Sequence, residues 1–229
     1  MVTRLKYNMK FVHEPIDLGY NDLTAQSLNN SRIYNTPDGD YPSVTTVLSI
    51  LSEEAIQAWR NRVGEEEANR ISGRASGRGT KVHSIIEDYL NGKDTTEYLP
   101  HIRQSLSNLK PILDTRIGRI FGLEVPLYSK HLGLAGRVDA VAEFDGVVSI
   151  VDWKTSRYPK KKSLISNYFC QMAAYAIMFE ERTGLPVTNL AVVMDVDDNE
   201  PLVFKEHRDN WSQMLLETIE KYKRRKLWP

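Results

Sequence analysis

The sequence predicts a mixed α/β fold: a central mixed sheet containing an antiparallel hairpin, flanked by helices and preceded by an N-terminal helical cover. Three observations predict it. Apolar residues recur at helical spacing between Ser52 and Asn91, the apolar period shifts to two between Arg119 and Thr155, and Asp145-Gly146 stands between two of the resulting runs. An Asp-Gly pair between alternating segments is a strong two-residue hairpin signal. At 229 residues, with 41% hydrophobic and 26% charged, the chain has the composition of a globular protein. One integrated domain in three parts is expected: an extended segment over 1–42, a helical region over 43–116 that packs over the functional site, and a core over 117–229.

Each element follows from local chemistry. Residues 1–31 show only weak periodicity. Arg32 to Pro42 reads as two short extended pieces around the turn Pro37-Asp38-Gly39, and Ser43 caps a helix beginning at Val44. The helical pattern from Ser52 to Asn91 is expected to break near Gly64 and again at Gly73-Arg74-Ala75-Ser76-Gly77-Arg78-Gly79, where glycines cluster. Its last helix carries Val82, Ile85, Ile86, Tyr89 and Leu90 on one stripe. A helix over His101 to Thr115 is expected to kink or restart at Pro111. Strands follow at Ile120–Tyr128, Leu134–Phe144 and Val147–Lys154, then a helix over Ile165–Arg182, strands at Leu190–Val196 and Leu202–Lys205, and an amphipathic helix over Asp209–Lys226.

Thirty basic and thirty acidic residues balance to zero, which argues against a generally cationic nucleic-acid coat and confines any polyanion site to a local patch. Cys170 is the only cysteine, so an internal disulfide, a four-thiolate zinc site and an iron–sulfur cluster are all ruled out, and a reducing compartment is expected. No window approaches the roughly 20 apolar residues of a bilayer span. The opening stretch Met1 to Pro15 has no apolar run after its basic residues, so neither a membrane protein nor a secreted one is expected.

The hairpin carries the chemistry. With Asp145 and Gly146 as the turn, Phe144 faces Val147 and, by the same count, Asp139 faces Asp152. Opposed side chains lie about 4.5–5.5 Å apart, and two like charges at that distance destabilise a sheet unless something positive sits between them. Lys154, two residues beyond Asp152, points to the same side. Apolar neighbours on both faces partly bury the charges, and buried carboxylates need a partner or a metal. Oxygen ligands of this type suit Mg²⁺ or Mn²⁺, whose usual co-ligand is a substrate phosphate. From the hairpin alone two accounts stand: a metal site acting on a phosphodiester, or an inert ion-pair cluster of the two aspartates with Arg137 and Lys154. His83 and Glu87, four apart on a helix, share a face from which both can reach a metal, or form an ordinary surface pair; Gln171 and Tyr175 repeat the spacing.

Taken together, Gly136-Arg137-Val138-Asp139, Asp152-Trp153-Lys154, Gln171 with Tyr175, and His83 upstream resemble the RecB-like branch of the PD-(D/E)XK nuclease superfamily. The likeness is closer to the mitochondrial genome maintenance exonuclease type and its phage relatives, because Tyr41 to Leu48 and Trp59 also match; it runs from about Arg32 to Trp228. The resemblance implies a PD-(D/E)XK core and a Mg²⁺- or Mn²⁺-dependent deoxyribonuclease without an iron–sulfur cluster. It implies that Asp139, Asp152, the Trp153 carbonyl and His83 hold metal, that Lys154 orients water and offsets phosphorane charge, and that Glu124 fills the early acidic position. Gln171 and Tyr175 then contact the substrate backbone, and Glu87 orients His83.

The basic residues Arg74, Arg78 and Lys81 before His83, and Lys160 and Lys161 after the DWK strand, flank this site as a phosphate-tracking groove requires. Trp153, Tyr158 and Tyr168 are candidates to stack on unpaired bases. The expected function is exonucleolysis of single-stranded DNA from free ends in replication, repair or recombination, by a monomer in a bacterial or phage-infected cytoplasm, with replication or recombination proteins as candidate partners and no membrane. A structure-specific endonuclease and an inactive single-strand-binding module are the alternatives. The expected route of entry is threading beneath an arch formed at the glycine-rich break.

Overall fold

A computed structural model describes residues 10–28 and 31–227. The reading of the first nine residues and the end of the resemblance at Trp228 lie outside the described residues. In chain order the elements are β1 (Thr24–Leu28), β2 (Ser31–Thr36), β3 (Gly39–Pro42), α1 (Val44–Leu48), α2 (Glu53–Val63), α3 (Glu65–Leu90), α4 (Pro100–Arg116), β4 (Ile117–Ser129), β5 (Leu134–Phe144), β6 (Val147–Ser156), α5 (Ser166–Thr183), β7 (Asn189–Val196), β8 (Leu202–His207) and α6 (Asp209–Leu227). The mixed α/β class is as expected.

β4 to β8 form one five-stranded sheet in chain order, antiparallel except where β6 runs parallel to β7. The α5 crossover makes that parallel pairing possible, since parallel neighbours cannot be joined by a hairpin. One face of the sheet packs Val141, Ile150 and Val192 against α1, α5 and α6. The other packs Ala140, Ala142, Val151 and Val193 against α3 and α4. The region 43–116 is therefore not a single cover: α1 lies on one side of the sheet, α3 and α4 on the other. No helix among the described residues is long and apolar enough to cross a membrane.

Three local features differ from the sequence reading. β1 pairs antiparallel with β2, completing a small β1-β2-β3 sheet that propensity alone did not mark. α3 runs unbroken through Gly73, Gly77 and Gly79. Three glycines cost a helix interior about 3 kcal/mol relative to alanine. Complete burial of Val82, Ile85, Ile86 and Leu90 on the same helix contributes about 1.5–3 kcal/mol each, which outweighs it. The other expected break, at Gly64, is present, and its φ of 86° is one that no other residue adopts easily. Pro111 likewise sits inside α4 without ending it.

Ahead of β1, the chain follows the outer edge of β4. Ile120 N–H donates to the Val12 carbonyl (2.8 Å), Glu14 N–H to that of Ile120 (2.8 Å) and Ile16 N–H to that of Phe121 (3.2 Å). The strand edge is thus partnered by a segment with no strand-like sequence pattern.

Candidate active site

The hairpin register is as counted from Phe144↔Val147 to Ala140↔Val151, where the paired ladder of β5 and β6 ends. Beyond that point β6 continues against β7, from Asp152↔Val192 to Ser156↔Val196, while β5 stays with β4. The two strands fork, and Asp139 and Asp152 sit at the crotch. They do not face each other as a regular cross-strand pair. Instead Trp153 N–H donates to Asp139 Oδ2 at 2.8 Å.

α3 and α5 supply the walls. His83 Nδ1 lies 3.4 Å from Asp139 Oδ1. Ligand atoms of His83, Glu124 and Asp139 all fall within 4.8 Å of one another. Glu124 enters from β4, where the register brackets it between Leu123↔Ala140 and Val125↔Val138, opposite Asp139. Lys154 Nζ stands 2.5 Å from Asp152 Oδ2 and is the charge partner of this buried oxygen. One imidazole and two carboxylates converging within 4.8 Å, with the buried Asp152 carboxylate nearby, form a donor set that fits a hard divalent cation.

The electrostatics follow from crowding. Burial, reinforced by Asp139, pushes the Glu124 carboxyl up to about 7. Burial also raises Asp152, to about 6, against the pull of Lys154. Asp139 goes the other way: burial opposes its charge, but His83, Lys154 and the Trp153 amide together hold it below the usual carboxylate range. His83 is lifted above its ordinary value because Asp139 outweighs the effect of burial. Two carboxylates at one site with opposite shifts are a common mark of functional chemistry.

His83, Glu124 and Asp139 line a cleft of about 520 Å³ that also takes in Glu87, Gln171, Tyr175, Arg32, Tyr34 and Arg137, while Asp152 is buried behind it. Gln171 Nε2 donates to Tyr175 Oη at 3.4 Å. Tyr175 in turn sets the edge of its ring against Gly136: a Cβ there would come within 2.8 Å of its ring and 2.9 Å of its hydroxyl. That contact gives a packing reason for the glycine three residues before Asp139.

Other expected contacts fall elsewhere. Trp153 is 2% exposed in the core against α3 and α4, so it cannot stack on a base; its aromatic bulk packs where strand alternation sends it. Arg78 is held by Asp195 (2.5 Å) and Asp197 (2.6 Å), an internal brace rather than a free cation. Arg74 and Arg78 line a separate groove with Thr155 and Arg157 on the far flank of α3, and Lys81 is exposed outside the cleft. Lys160 donates to Tyr168 Oη (2.9 Å), and both it and Lys154 lie over the Tyr168 ring. Lys161 is exposed. Arg137 does not pair with either aspartate; it donates to the Glu124 carbonyl at 2.6 Å and to Asp22. The sequence reading missed Arg32 and Tyr34, because β2 reaches the cleft only through the packing of the small sheet on β5.

Against known proteins, the chain is 28% identical over 209 residues to mitochondrial genome maintenance exonuclease 1 of Xenopus tropicalis, covering 82% of this chain and 59% of that protein. It is 28% identical over 130 residues to the Homo sapiens protein of that name (52% and 38% covered) and 27% over 176 residues to that of Mus musculus (70% and 51%). The chain thus spans between about two fifths and three fifths of the length of these relatives. A profile of the PD-(D/E)XK nuclease superfamily matches residues 101–227, which include Glu124, Asp139, Asp152, Lys154, Gln171 and Tyr175. By that match over more than half of its length, the chain belongs to the PD-(D/E)XK nuclease superfamily.

Proposed function

We propose that the protein is a Mg²⁺- or Mn²⁺-dependent exonuclease that hydrolyses phosphodiester bonds of single-stranded DNA from a free end. The observation that carries this reading is the convergence of His83, Glu124 and Asp139 at the hairpin fork, next to the buried Asp152–Lys154 ion pair. His83, Asp139, Asp152 and the Trp153 carbonyl would hold the ion, with Glu124 as a further acidic ligand. When bound, the ion supplies Lewis-acid polarisation of the scissile phosphate.

The remaining work falls to the chain itself. Lys154, braced by Asp152 and Tyr168, orients the attacking water and offsets charge on the phosphate oxygens. The Trp153 amide fixes Asp139, and Glu87 orients His83. Gln171 and Tyr175 hold the sugar–phosphate backbone, and Arg32 stands where a neighbouring phosphate would pass. Lys160, held on Tyr168 beside Lys154, is the one of the expected basic residues that stays with this site, while Arg74, Arg78 and Lys81 are not assigned to this cleft. With α3 continuous, threading beneath a broken helix no longer supports end specificity. Support comes from the modest volume of the cleft, about 520 Å³, lined by residues of α3 and the small sheet, and from the exonuclease name of the relatives.

An end-labelled linear strand and a circular strand, each incubated with and without Mg²⁺, test the reading. The linear strand is expected to shorten only with metal while the circle persists. Equal loss of both would favour an endonuclease, and binding without cleavage in Mg²⁺ and Mn²⁺ would favour an inactive module.

A further inference from the structure

Glu124 reaches the site from an unusual backbone. Its φ is 50°, the left-handed region that a non-glycine residue seldom occupies. The distortion is built in on both sides. The β4–β5 register slips between Ile120 and Gly122, and a Cβ on Gly122 would fall 2.3 Å from Val125 Cγ2, so only glycine lets Val125 fold back over the bulge. A bulge of this kind re-aims a side chain.

Something must hold the peptide there. Arg137 Nη1 donates to the Glu124 carbonyl at 2.6 Å, from the strand that also bears Asp139. Arg137 Nη2 donates to Asp22 Oδ1, which also accepts from Leu23 N–H at 2.7 Å. Asp22 belongs to the segment that follows the β4 edge, where Tyr20 Oη donates to the Pro126 carbonyl at 3.0 Å. The guanidinium therefore ties the Glu124 peptide, just past the bulge, to the edge segment, using two arms of its planar fork.

We infer that Arg137, braced by Asp22, is a positioning residue that holds the Glu124 peptide in its left-handed conformation so that the carboxylate faces His83 and Asp139. The inference rests on the proposed metal site. It gives the N-terminal segment a role: Asp22 supplies the brace from outside the sheet.

Manganese titration by calorimetry tests this on the full chain, with Arg137→Ala, Asp22→Ala, Glu124→Gln and the double variant Arg137→Ala/Glu124→Gln. Loss of an outer partner of a metal ligand typically weakens metal binding by about 10–100-fold. Arg137→Ala is expected to weaken Mn²⁺ binding about tenfold, and the double variant to bind no more weakly than Glu124→Gln alone, because both remove one ligand's contribution. Asp22→Ala is expected to weaken it by a smaller factor, about threefold, and gives the answer if Arg137→Ala does not fold. Unchanged Mn²⁺ affinity in the folded single variants, or fully additive losses in the double variant, would overturn the inference. Loss of single-strand binding in EDTA with intact Mn²⁺ affinity would also overturn it and assign Arg137 to the substrate. If the wild-type chain takes up no Mn²⁺, the metal reading itself fails and takes the inference with it.

Discussion

Trp153 gives its backbone N–H to the Asp139 carboxylate at 2.8 Å, just past the last regular pair of the hairpin, Ala140 and Val151. A side chain thus replaces the ladder. The amide that would otherwise be orphaned at the fork is satisfied, and Asp139 is fixed against a rigid strand rather than a loop. The same fork leaves the indole of Trp153 in the core, so the residue contributes through its peptide and its packing.

Glu124 makes the metal-free fold sensitive to pH. Its carboxyl is raised from about 4.5 to about 7, first by burial and then by Asp139, so the native state holds a proton that the unfolded chain has lost between those values. That stability is fully present below about pH 4.5 and is lost as pH rises through 7. Glu124→Gln is therefore expected to stabilise the metal-free protein at pH 8 by about 1–2 kcal/mol while lowering activity. Urea unfolding across pH 5 to 8 reads this; parallel pH profiles for both proteins would contradict it.

Asp139→Asn and Lys154→Ala are each expected to reduce cleavage at least a hundredfold, within the range of about 10²–10⁴ for groups that act on the proton or charge of a reaction. Asp139→Asn should keep a cooperative melt, since its side chain is not part of the apolar core on either face of the sheet, whereas Lys154→Ala should also lower the melting temperature, because it leaves the buried Asp152 without its cation. Near-normal cleavage by Asp139→Asn in Mg²⁺ would remove Asp139 from the site.

Gly136→Ala places a methyl against the buried ring of Tyr175, whose atoms lie 2.8–3.3 Å from the new Cβ. Overpacking of this kind costs about 1–3 kcal/mol. A lowered melting temperature and weaker single-strand binding are expected together, because Tyr175 and Gln171 move as a hydrogen-bonded pair. An unchanged melt would show that Tyr175 has room to yield.

Arg32 is exposed at the mouth of the cleft, with its guanidinium 5.0 Å from the Tyr34 ring centroid. If it contacts one phosphate, Arg32→Ala should lower the slope of log K against log salt by about 0.7 for a single strand. Arg78→Ala should instead lower stability, since it leaves the buried Asp195 with only the Asn108 amide (3.2 Å). Interchanged effects would reverse these two assignments.

The strands and helices from Ile117 onward are legible in the sequence because period, turn residues and caps agree: Asp145-Gly146 fixes the hairpin register and Gly184 ends α5 in a left-handed conformation. That register runs only to Ala140↔Val151; it brings Asp139 and Asp152 to one place, but the strands fork there and the two do not form the facing pair the count implies. What sequence order does not reveal are features set by packing at a distance. Glycine content misplaced a break in α3, since burial of its apolar stripe overrides local propensity. Charge counting placed Arg78 on the substrate, whereas Asp195 arrives beside it from β7. The role of Arg137 depends on Asp22, in the segment whose periodicity is weakest, and that of Arg32 on how the small sheet packs against β5.

The most direct test of the account is a crystal of the wild-type protein soaked in Mn²⁺ and measured at the manganese absorption edge. The account predicts an anomalous peak within coordination distance, about 2.0–2.3 Å, of Asp139 and His83, with Asp152 or Glu124 completing the protein ligands. A fully soaked crystal with no peak at the hairpin fork, or with its peak elsewhere on the molecule, would contradict it.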